Sequence, residues 1–388
     1  MLEFKNIYSD DFSNKLSLRY YPRTLTVRAK KTFTTPTRIV TDSEYSNKTT
    51  YPNKIKLDDN ISIITNYFNV DDLQSFINKN GAMKKLCMKV ENFTKHAVDS
   101  PLSLLSIRPN TKEHWPKLNE DQFARFVRFL NYAEKNLSTR SLPDMPLNFS
   151  YKTAFEEFSK QYDNSNPVIW LYLEEEGKIF KKKVDILKEL VKDGRLQIIG
   201  LYARRSSTVI DYNVNLDYLY SNFKDQEVLL IYEGSFKSFQ APYFKGPSKL
   251  HYHPFEVFDA ISPYKYPKGG GGKKLPLEKI NSTSFLNEYN ISYEKFKDVD
   301  KELLYHYTDS ASKRLIDQIY AMVENNEKPD DRTIKQFKAF SNIQQIQAGS
   351  NEMHNISKDI MSRASLDYLN EKADLGKIVK NKLQPKLA

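Results

Sequence analysis

The stretch NPVIWLYLEEEGKIFKKKVDILKELVKDGRLQIIGLYARR, residues 166–205, carries the pattern that decides the fold. Two nearly continuous apolar runs, within predicted strands at 166–177 and 196–205, are typical of strands that are buried on both faces. Between them an apolar helical face is formed by Phe180, Val184, Leu187 and Val191. Gly194 is well placed to end that helix. The stretch therefore predicts two strands of a parallel sheet joined by a covering helix.

The same alternation continues on both sides of this stretch. Further strands are predicted at 61–68, 101–107, 145–151, 227–234 and 255–262. A second amphipathic helix is predicted at 120–137, with an apolar face formed by Phe123, Val127 and Leu130. About seven alternations over about 230 residues predict an α/β fold, a (β/α)8 TIM-type barrel. A doubly wound open sheet has the same periodicity and stays open as an alternative.

The chain length fits one barrel with extensions. Residues 1–295 are predicted to form the barrel with an N-terminal hairpin, and residues 296–388 a helical C-terminal extension. The extension is polar and ends in the Lys-rich KIVKNKLQPKLA, so we expect this tail to pack loosely or to bind an acidic partner.

Charge and cysteine content narrow the class of protein. The 59 basic and 49 acidic residues give a net charge of +10, which favours a polyanionic partner, although a Lys-rich solubilising surface has the same charge. Cys87 is the only cysteine, which excludes a disulfide framework within the chain and indicates a reducing compartment. The chain starts without a cationic, apolar leader, and no uncharged run is long enough to span a bilayer. A soluble cytoplasmic protein without a membrane partner is the expectation.

The stretch HPFEVFDAISPYKYPKGGGGKK, residues 253–274, contains the candidate chemistry. Asp259 lies within the last predicted strand, and in a barrel the reactive groups lie at the C-terminal ends of strands. Lys265, Lys268 and the glycines 269–272 could approach an anion with side-chain charge and bare backbone. This combination suits a phosphate-bearing sugar. A structural carboxylate followed by a mobile loop is the alternative interpretation.

These residues resemble the last-strand signature of the tRNA-guanine transglycosylases. In that family Phe-Asp-Cys-Val is followed by a proline, two basic residues three apart and Asn-Gly. Six positions fall on this pattern without a gap: Phe258, Asp259, Pro263, Lys265, Lys268 and Gly270.

Other stretches are similar to the family in the same order, over roughly residues 25–290. KTFTTPTRIV, with Thr35 and Pro36, resembles the opening hairpin before the first barrel strand, and ISIITNYF resembles an Asn-Thr-Tyr strand. Glu175 falls where the family has the glutamine of Gln-Gly-Gly. In LQIIGLYARR, Gly200 and Leu201 match the family's Gly-Gly-Leu strand, and Arg204 and Arg205 replace small residues of the family.

The resemblance implies base exchange at a nucleotide. Asp259 would be the nucleophile that forms a covalent sugar ester as guanine leaves, and a free 7-deazapurine would resolve it. The resemblance implies no cofactor. Asp99 would be the acid/base residue if it ends a strand at 95–99, but a strand at 102–107 would place it at the wrong end, in a cap or turn. Asn148 and Ser150 would take the place of the aspartate that reads the purine, with Glu174 or Glu175 as further readers.

Departures from the family indicate a divergent branch. The family's structural zinc site needs cysteines after the nucleophile strand, and the chain has none there, so no metal is expected. Such members resemble the phage and bacterial transglycosylases that insert 7-deazaguanines such as preQ0 into DNA. DNA is therefore favoured over tRNA as the partner, with the target guanine turned out of its stack. The related enzymes commonly pair two-fold, and a homodimer is the corresponding expectation.

Two other functions stay open at this point. One is a catalytically inactive transglycosylase-like barrel that binds nucleic acid or supports an active partner subunit. The other is an unrelated sugar-processing barrel, which needs paired carboxylates at strand ends, and Glu175 and Glu233 could supply them.

Overall fold

A computed structural model describes sixteen stretches of the chain and is the basis for the following account. The described residues are 2–6, 23–27, 31–35, 37–42, 44, 60–68, 80–96, 100–109, 119–144, 166–203, 209–223, 226–234, 259–263, 275–287, 292–308 and 310–363.

The strands number fourteen within these stretches. They are β1 (Leu2–Asn6), β2 (Arg23–Val27), β3 (Lys31–Thr34), β4 (Thr37–Arg38), β5 (Val40–Thr41), β6 (Ser62–Phe68), β7 (Ser103–Pro109), β8 (Thr139–Leu142), β9 (Asn166–Tyr172), β10 (Ile198–Ala203), β11 (Leu229–Gly234), β12 (Ala260–Pro263), β13 (Ser284–Asn287) and β14 (Ser292–Lys295).

The described helices alternate with the central strands and then follow one another toward the C-terminus. They are α1 (Asn80–His96), α2 (Glu120–Ala133), α3 (Gly177–Lys192), α4 (Val209–Phe223), α5 (Pro276–Asn281), α6 (Lys301–His306), α7 (Ser310–Glu324) and α8 (Asp331–Arg363), with a 3-10 turn at Phe296–Asp298.

Strands β4 to β12 form a closed ring of eight strand positions. One set of parallel ladders runs in the order β4, β12, β11, β10, β9, β8, and a second in the order β5, β6, β7. β4 and β5 are the two halves of the first strand, because β4 pairs with β12 and β5 with β6. The ring closes between β7 and β8, where Thr139 Oγ1 donates to the Ser103 carbonyl at 2.7 Å. The (β/α)8 barrel predicted from the sequence is confirmed, and the open sheet is wrong.

The interior of the ring is a packed apolar core. Its members, from alternate positions along the strands, include Ile39, Ile61, Ile63, Leu102, Leu104, Val168, Trp170, Ile198, Leu229, Ile231 and Ala260. Residues of opposite parity face the helices. On α3 the predicted apolar face is buried, and Gly194 adopts a φ of 68° at the turn that ends the helix.

The N-terminal sheet closes one end of the barrel. β1, β2 and β3 pair antiparallel, and Leu2 and Phe33 join the interior core. Gln197, just before β10, accepts from the Leu2 amide at 2.7 Å and donates to the Leu2 carbonyl at 2.9 Å. This sheet therefore covers the end at which the barrel strands begin, and Thr35 precedes the first barrel strand as predicted.

The C-terminal helices pack on the outside of the same barrel. Phe285, Phe337 and Phe340 share one buried cluster with Val40 of β5 and Leu105 of β7. Helices are present here as predicted, but residues 334–346 are tightly packed, so loose packing is wrong for this part. The Lys-rich end lies outside the described residues, and the boundary at residue 295 stays a prediction.

One barrel strand was not predicted from the sequence. The fourth barrel strand is β8, at 139–142, whereas the predicted strand at 145–151 lies outside the described residues. β8 has no apolar run, because Thr139 and Ser141 alternate with the outward-facing Leu142.

Across the described ranges, no helix combines the length and apolarity that crossing a bilayer requires.

Candidate functional site

The candidate site is the interior of the barrel at the C-terminal ends of its strands. Substrates of (β/α)8 enzymes bind at this end, because side chains from several parallel strands converge there. The strand registers place four interior residues side by side in one layer. They are Tyr172, Tyr202, Glu233 and Ser262, on β9 to β12 in order.

A tryptophan forms the floor below this layer. Trp170 is fully buried and donates through its indole N–H to the Leu105 carbonyl across the barrel at 3.0 Å. Gly200 is its register partner, and a Cβ built on Gly200 would lie 2.3 Å from Cε3 of the Trp170 ring. The absent side chain therefore makes room for the indole.

Glu233 is the carboxylate of the upper layer. Thr65 Oγ1 of β6 donates to its Oε1 at 2.6 Å, and the Arg108 guanidinium of β7 forms an ion pair with Oε2. Glu233 and Arg108 are both completely shielded from water. A buried carboxylate is costly unless it is paired and hydrogen-bonded, and both conditions are met here.

Arg108 is held in place by groups other than Glu233. Its Nε donates to Ser106 Oγ at 3.0 Å, and its guanidinium carbon lies 4.5 Å from the centre of the Tyr202 ring. The Tyr202 ring in turn lies 5.3 Å from that of Tyr172. Such a cation–π contact is strengthened where water is excluded. The arrangement fixes a charged pair beside two tyrosine rings.

The rim of the mouth carries further charge. Tyr172 donates its hydroxyl proton to Glu174 Oε2 at 2.6 Å. Lys89 of α1 donates to the Thr65 carbonyl at 2.6 Å and lies 3.3 Å from Asp42 Oδ2. Lys89 thus ties α1 to the strand that supplies Thr65.

A second charged cluster lies just beyond the ends of β8 and β9. Lys183 Nζ of α3 lies 2.8 Å from Asp144 Oδ1 and 2.6 Å from Glu175 Oε2. Burial, and then the neighbouring Asp144 carboxylate, raise the pKa of Glu175 to about 7 against the opposing effect of Lys183. Burial disfavours the Lys183 ammonium, but the Asp144 and Glu175 carboxylates outweigh it and raise its pKa. Two carboxylates here share one ammonium.

Asp259 does not lie at the mouth, which corrects its predicted role as nucleophile. It directly precedes β12, level with Leu230 near the start of β11, and it is fully buried. Its Oδ2 accepts from the Leu230 amide at 2.7 Å, and its carbonyl accepts from the Thr37 amide at 3.0 Å. The interior positions of β12 are Ala260 and Ser262, so Asp259 has the opposite parity. It stabilises strand pairing well below the Glu233 layer.

Three other predicted binding residues have packing or ion-pair roles. Gly200 accommodates Trp170, as described above. Leu201 faces the helices, in a buried cluster with Leu216 and Leu219 of α4. The Glu175 carboxylate is occupied by Lys183, and its carbonyl accepts from Asn215 Nδ2 at 2.9 Å. None of the three presents a side chain to the upper interior layer.

The remaining predicted site residues lie outside the described residues: Asp99, Asn148, Ser150, Arg204, Arg205, Lys265 and Lys268. The acid/base role of Asp99 depended on a strand at 95–99. The first two of these residues, Lys95 and His96, lie in helix α1, and the strand that follows is β7 at 103–109. The role of Asp99 itself stays a prediction.

Sequence reasoning missed Thr65, Arg108 and Tyr202. Of these, Arg108 could have been predicted from the sequence, because a charged residue at the end of an apolar run is a candidate for the mouth of a barrel. Within the described stretches, no group of three or more His, Cys, Asp or Glu side chains is arranged to hold a metal ion.

Comparison with known proteins adds little to this geometry. No protein-family profile and no curated protein matches the chain. Among solved structures, it is similar to a type I 3-dehydroquinate dehydratase from Clostridium difficile, at 10% identity and a TM-score of 0.37, over 61% of this chain and 87% of that one. It is also similar to a GH10 protein from Paenibacillus barcinonensis, at 12% identity and a TM-score of 0.34, over 67% of this chain and 87% of that one.

A third similar structure is the putative copper homeostasis protein CutC from Streptococcus agalactiae, at 10% identity and a TM-score of 0.32, over 53% of this chain and 89% of that one. At such scores these likenesses support no functional argument. The barrel assignment rests on the strand order of the chain itself.

Proposed function

We propose that this chain is an enzyme that exchanges a base at a glycosidic bond, with Glu233 as the carboxylate that faces the sugar. The observation that supports the proposal is the Glu233–Arg108 pair, in the upper interior layer at the mouth of the barrel. The residues that resemble the guanine transglycosylases favour guanine in a polynucleotide as the substrate and a 7-deazaguanine such as preQ0 as the incoming base. DNA is favoured over tRNA.

The chemistry follows from a fixed anion near the anomeric carbon. As the bond between C1′ and the base nitrogen breaks, positive charge develops on the sugar, and the Glu233 carboxylate stabilises it or bonds to C1′. The incoming base then gives up its N–H proton as its nitrogen bonds to C1′ and releases the carboxylate, and this proton balances the one that the leaving guanine takes up. Arg108 balances the charge of Glu233 before and after the reaction, and Thr65 fixes its orientation.

The test is an exchange assay on the full chain. Guanine-containing duplex DNA and, separately, tRNA are incubated with preQ0, and released guanine and a denaturant-stable adduct are measured. Glu233→Gln should lower guanine release on the order of 100-fold or more, because the amide carries no negative charge. Glu227→Gln is the matched control, since it makes the same change at an exposed position before the same strand.

The variant Asp259→Asn tests the role of the Asp259 carboxylate separately from that of Glu233. Its amide oxygen can still accept from the Leu230 N–H, so we expect a less stable protein that retains guanine release per folded molecule. Loss of release in folded Asp259→Asn, together with full release in Glu233→Gln, would reject Glu233 and restore the role predicted from the sequence.

A second function is favoured by one observation. Asp259 precedes β12 and has the parity that faces away from the interior, so the residue that the resemblance assigns as nucleophile does not reach the mouth, as expected of an inactive barrel that binds nucleic acid or supports a partner. Wild-type protein that binds DNA or tRNA but releases no guanine from either would favour this function.

A further inference from the structure

The outward faces of α1 and α2 carry an excess of positive charge. The exposed basic side chains on these helices and in the turn after α2 are Lys84, Lys85, Lys95, Arg125, Arg128 and Lys135. Their exposed acidic neighbours are Glu91 and Asp121. Six basic against two acidic groups leave an excess of four positive charges, among side chains whose exposure is described. We call this surface the α1–α2 face.

The two helices form one continuous surface. They follow the adjacent parallel strands β6 and β7, and both contribute buried residues to one cluster, with Leu86 and Val90 from α1 and Phe126 and Leu130 from α2. Burial, the largest cause, and then Glu91 raise the pKa of the Cys87 thiol, while Lys135 of the neighbouring α2 segment opposes them. Lys135 therefore acts electrostatically on a residue in the middle of α1.

The charge is arranged in a line along α2. Asp121, Arg125, Arg128 and Tyr132 follow one another at spacings of three or four residues, so they lie on one stripe of the helix, and Lys135 follows in the turn after it. From Arg125 to Tyr132 this stripe rises about 10 Å. Tyr132 is 56% exposed within it, and Met88 is 52% exposed on α1.

Helix α3 provides an internal comparison. It is also Lys-rich, with Lys178, Lys181, Lys182 and Lys192 exposed. Exposed acidic groups are equally numerous on and beside it, namely Glu176, Asp185, Glu189 and Asp193. The two helical surfaces therefore differ in charge balance more than in lysine content.

We propose that the α1–α2 face binds the phosphate backbone of double-stranded DNA beside the barrel mouth. A line of cations with few anions releases counterions from a polyanion, which is the main source of sequence-independent DNA affinity. Both helices start near the mouth, because each follows the C-terminal end of its strand, so bound DNA would run along the wall toward Glu233. The choice of DNA as partner rests on the proposed function.

The test is binding of a labelled duplex of mixed sequence, followed by fluorescence anisotropy over a range of salt concentrations. The variant Lys85→Gln, Arg125→Gln, Arg128→Gln should bind at least about tenfold more weakly at low salt, and the slope of log K against log salt should fall by roughly 2 to 3. The control Lys178→Gln, Lys181→Gln, Lys182→Gln removes three charges from α3 and should change affinity less than about twofold.

The proposal would be overturned if wild-type protein did not bind the duplex, or if both triple variants lost equal affinity for it. Tighter binding of duplex RNA than of duplex DNA would also overturn it. Equal competition by polyglutamate for the duplex site would indicate an acidic protein partner instead. Glu227→Gln, the control of the exchange assay, should bind DNA as wild type does. Normal duplex binding by wild-type protein without guanine release would count against the enzyme alone, and guanine release that is insensitive to the triple variant would count against the α1–α2 face alone.

Discussion

Gly200 and Trp170 show how one small residue determines the interior of the barrel. The indole occupies the space that a side chain at Gly200 would need, and it is anchored at its far end by the Leu105 carbonyl. Neither the ring nor the two strand backbones can move easily, because interiors are close-packed. The floor of the candidate site therefore depends on glycine at this position.

Gly200→Ala should destabilise the protein by about 1–3 kcal/mol, because the added methyl overpacks a rigid core. The measurement is the free energy of unfolding in urea. Gly81→Ala is the control, since a Cβ at Gly81 meets nothing within 4 Å. It should be neutral or stabilising, as alanine favours helix. Equal stability of Gly200→Ala and wild type would show that Trp170 is free to move.

The Asp144–Lys183–Glu175 cluster makes stability depend on pH. The pKa of Glu175 in the folded protein is about 7, above its ordinary value of 4.5, so the folded state binds the additional proton between these pH values. The free energy of unfolding should therefore fall as pH rises from about 4.5 to 7, by on the order of 1–3 kcal/mol for this residue. Burial also raises the pKa of Glu134 to about 8, which adds a slope of the same sign.

Glu175→Gln should remove the Glu175 part of this slope, because the amide does not titrate and leaves Lys183 paired with Asp144. Urea unfolding of both proteins at several pH values between 5 and 8 tests this. The variant should gain stability relative to wild type as pH rises, while the Glu134 contribution is common to both. If the difference in the free energy of unfolding between the variant and wild type stayed constant over this pH range, the expectation would be contradicted.

Among the elements, helix α8 belongs to the buried cluster on the outside of the barrel wall. Phe337 is fully buried, and its ring lies 5.5 Å from that of Phe285 and 4.9 Å from that of Phe296. Gln344 pairs with the backbone of Leu286, accepting from the amide at 3.0 Å and donating to the carbonyl at 2.7 Å. Apolar packing and paired polar groups thus attach α8 to β13 and, through the shared cluster, to the barrel wall.

Phe337→Ala should lower the free energy of unfolding by about 3–5 kcal/mol, because it leaves a cavity among aromatic rings. The measurement is urea unfolding followed by circular dichroism. Lys338→Ala, at the neighbouring exposed position, should stay within about 0.5 kcal/mol of wild type. A loss below about 1 kcal/mol in Phe337→Ala would support the loosely packed extension that the sequence predicts.

At the scale of the whole molecule, the two ends of the barrel have different roles. The N-terminal sheet covers the end where strands begin, and Asp259 is bound near that end. The layer of Tyr172, Tyr202, Glu233 and Ser262 lies toward the other end. The α1–α2 face runs along the wall beside β6 and β7. The end where the strands begin is therefore covered by packing, and the other end carries the charged pair on which the proposed function rests.

Part of this arrangement could be predicted from particular residues. The apolar runs around Trp170 and Ile199 predicted adjacent parallel strands, and the face of Phe180 and Leu187 predicted α3 with its end at Gly194. β8 was not predicted, because its polar residues face the interior and leave no apolar run in the sequence. Asp259 was misassigned because a match to a motif does not establish the level or the parity of a residue in a strand, and a short change in register turns a side chain to another surface.

The sequence alone determined the class of fold, because the period of apolar residues specifies strand or helix and their alternation specifies a parallel sheet with helical cover. It also determined the positive charge. Only the tertiary structure decided which carboxylate lies at the mouth, because Glu233, Arg108 and Thr65 come from strands far apart in the chain and meet only when the ring closes.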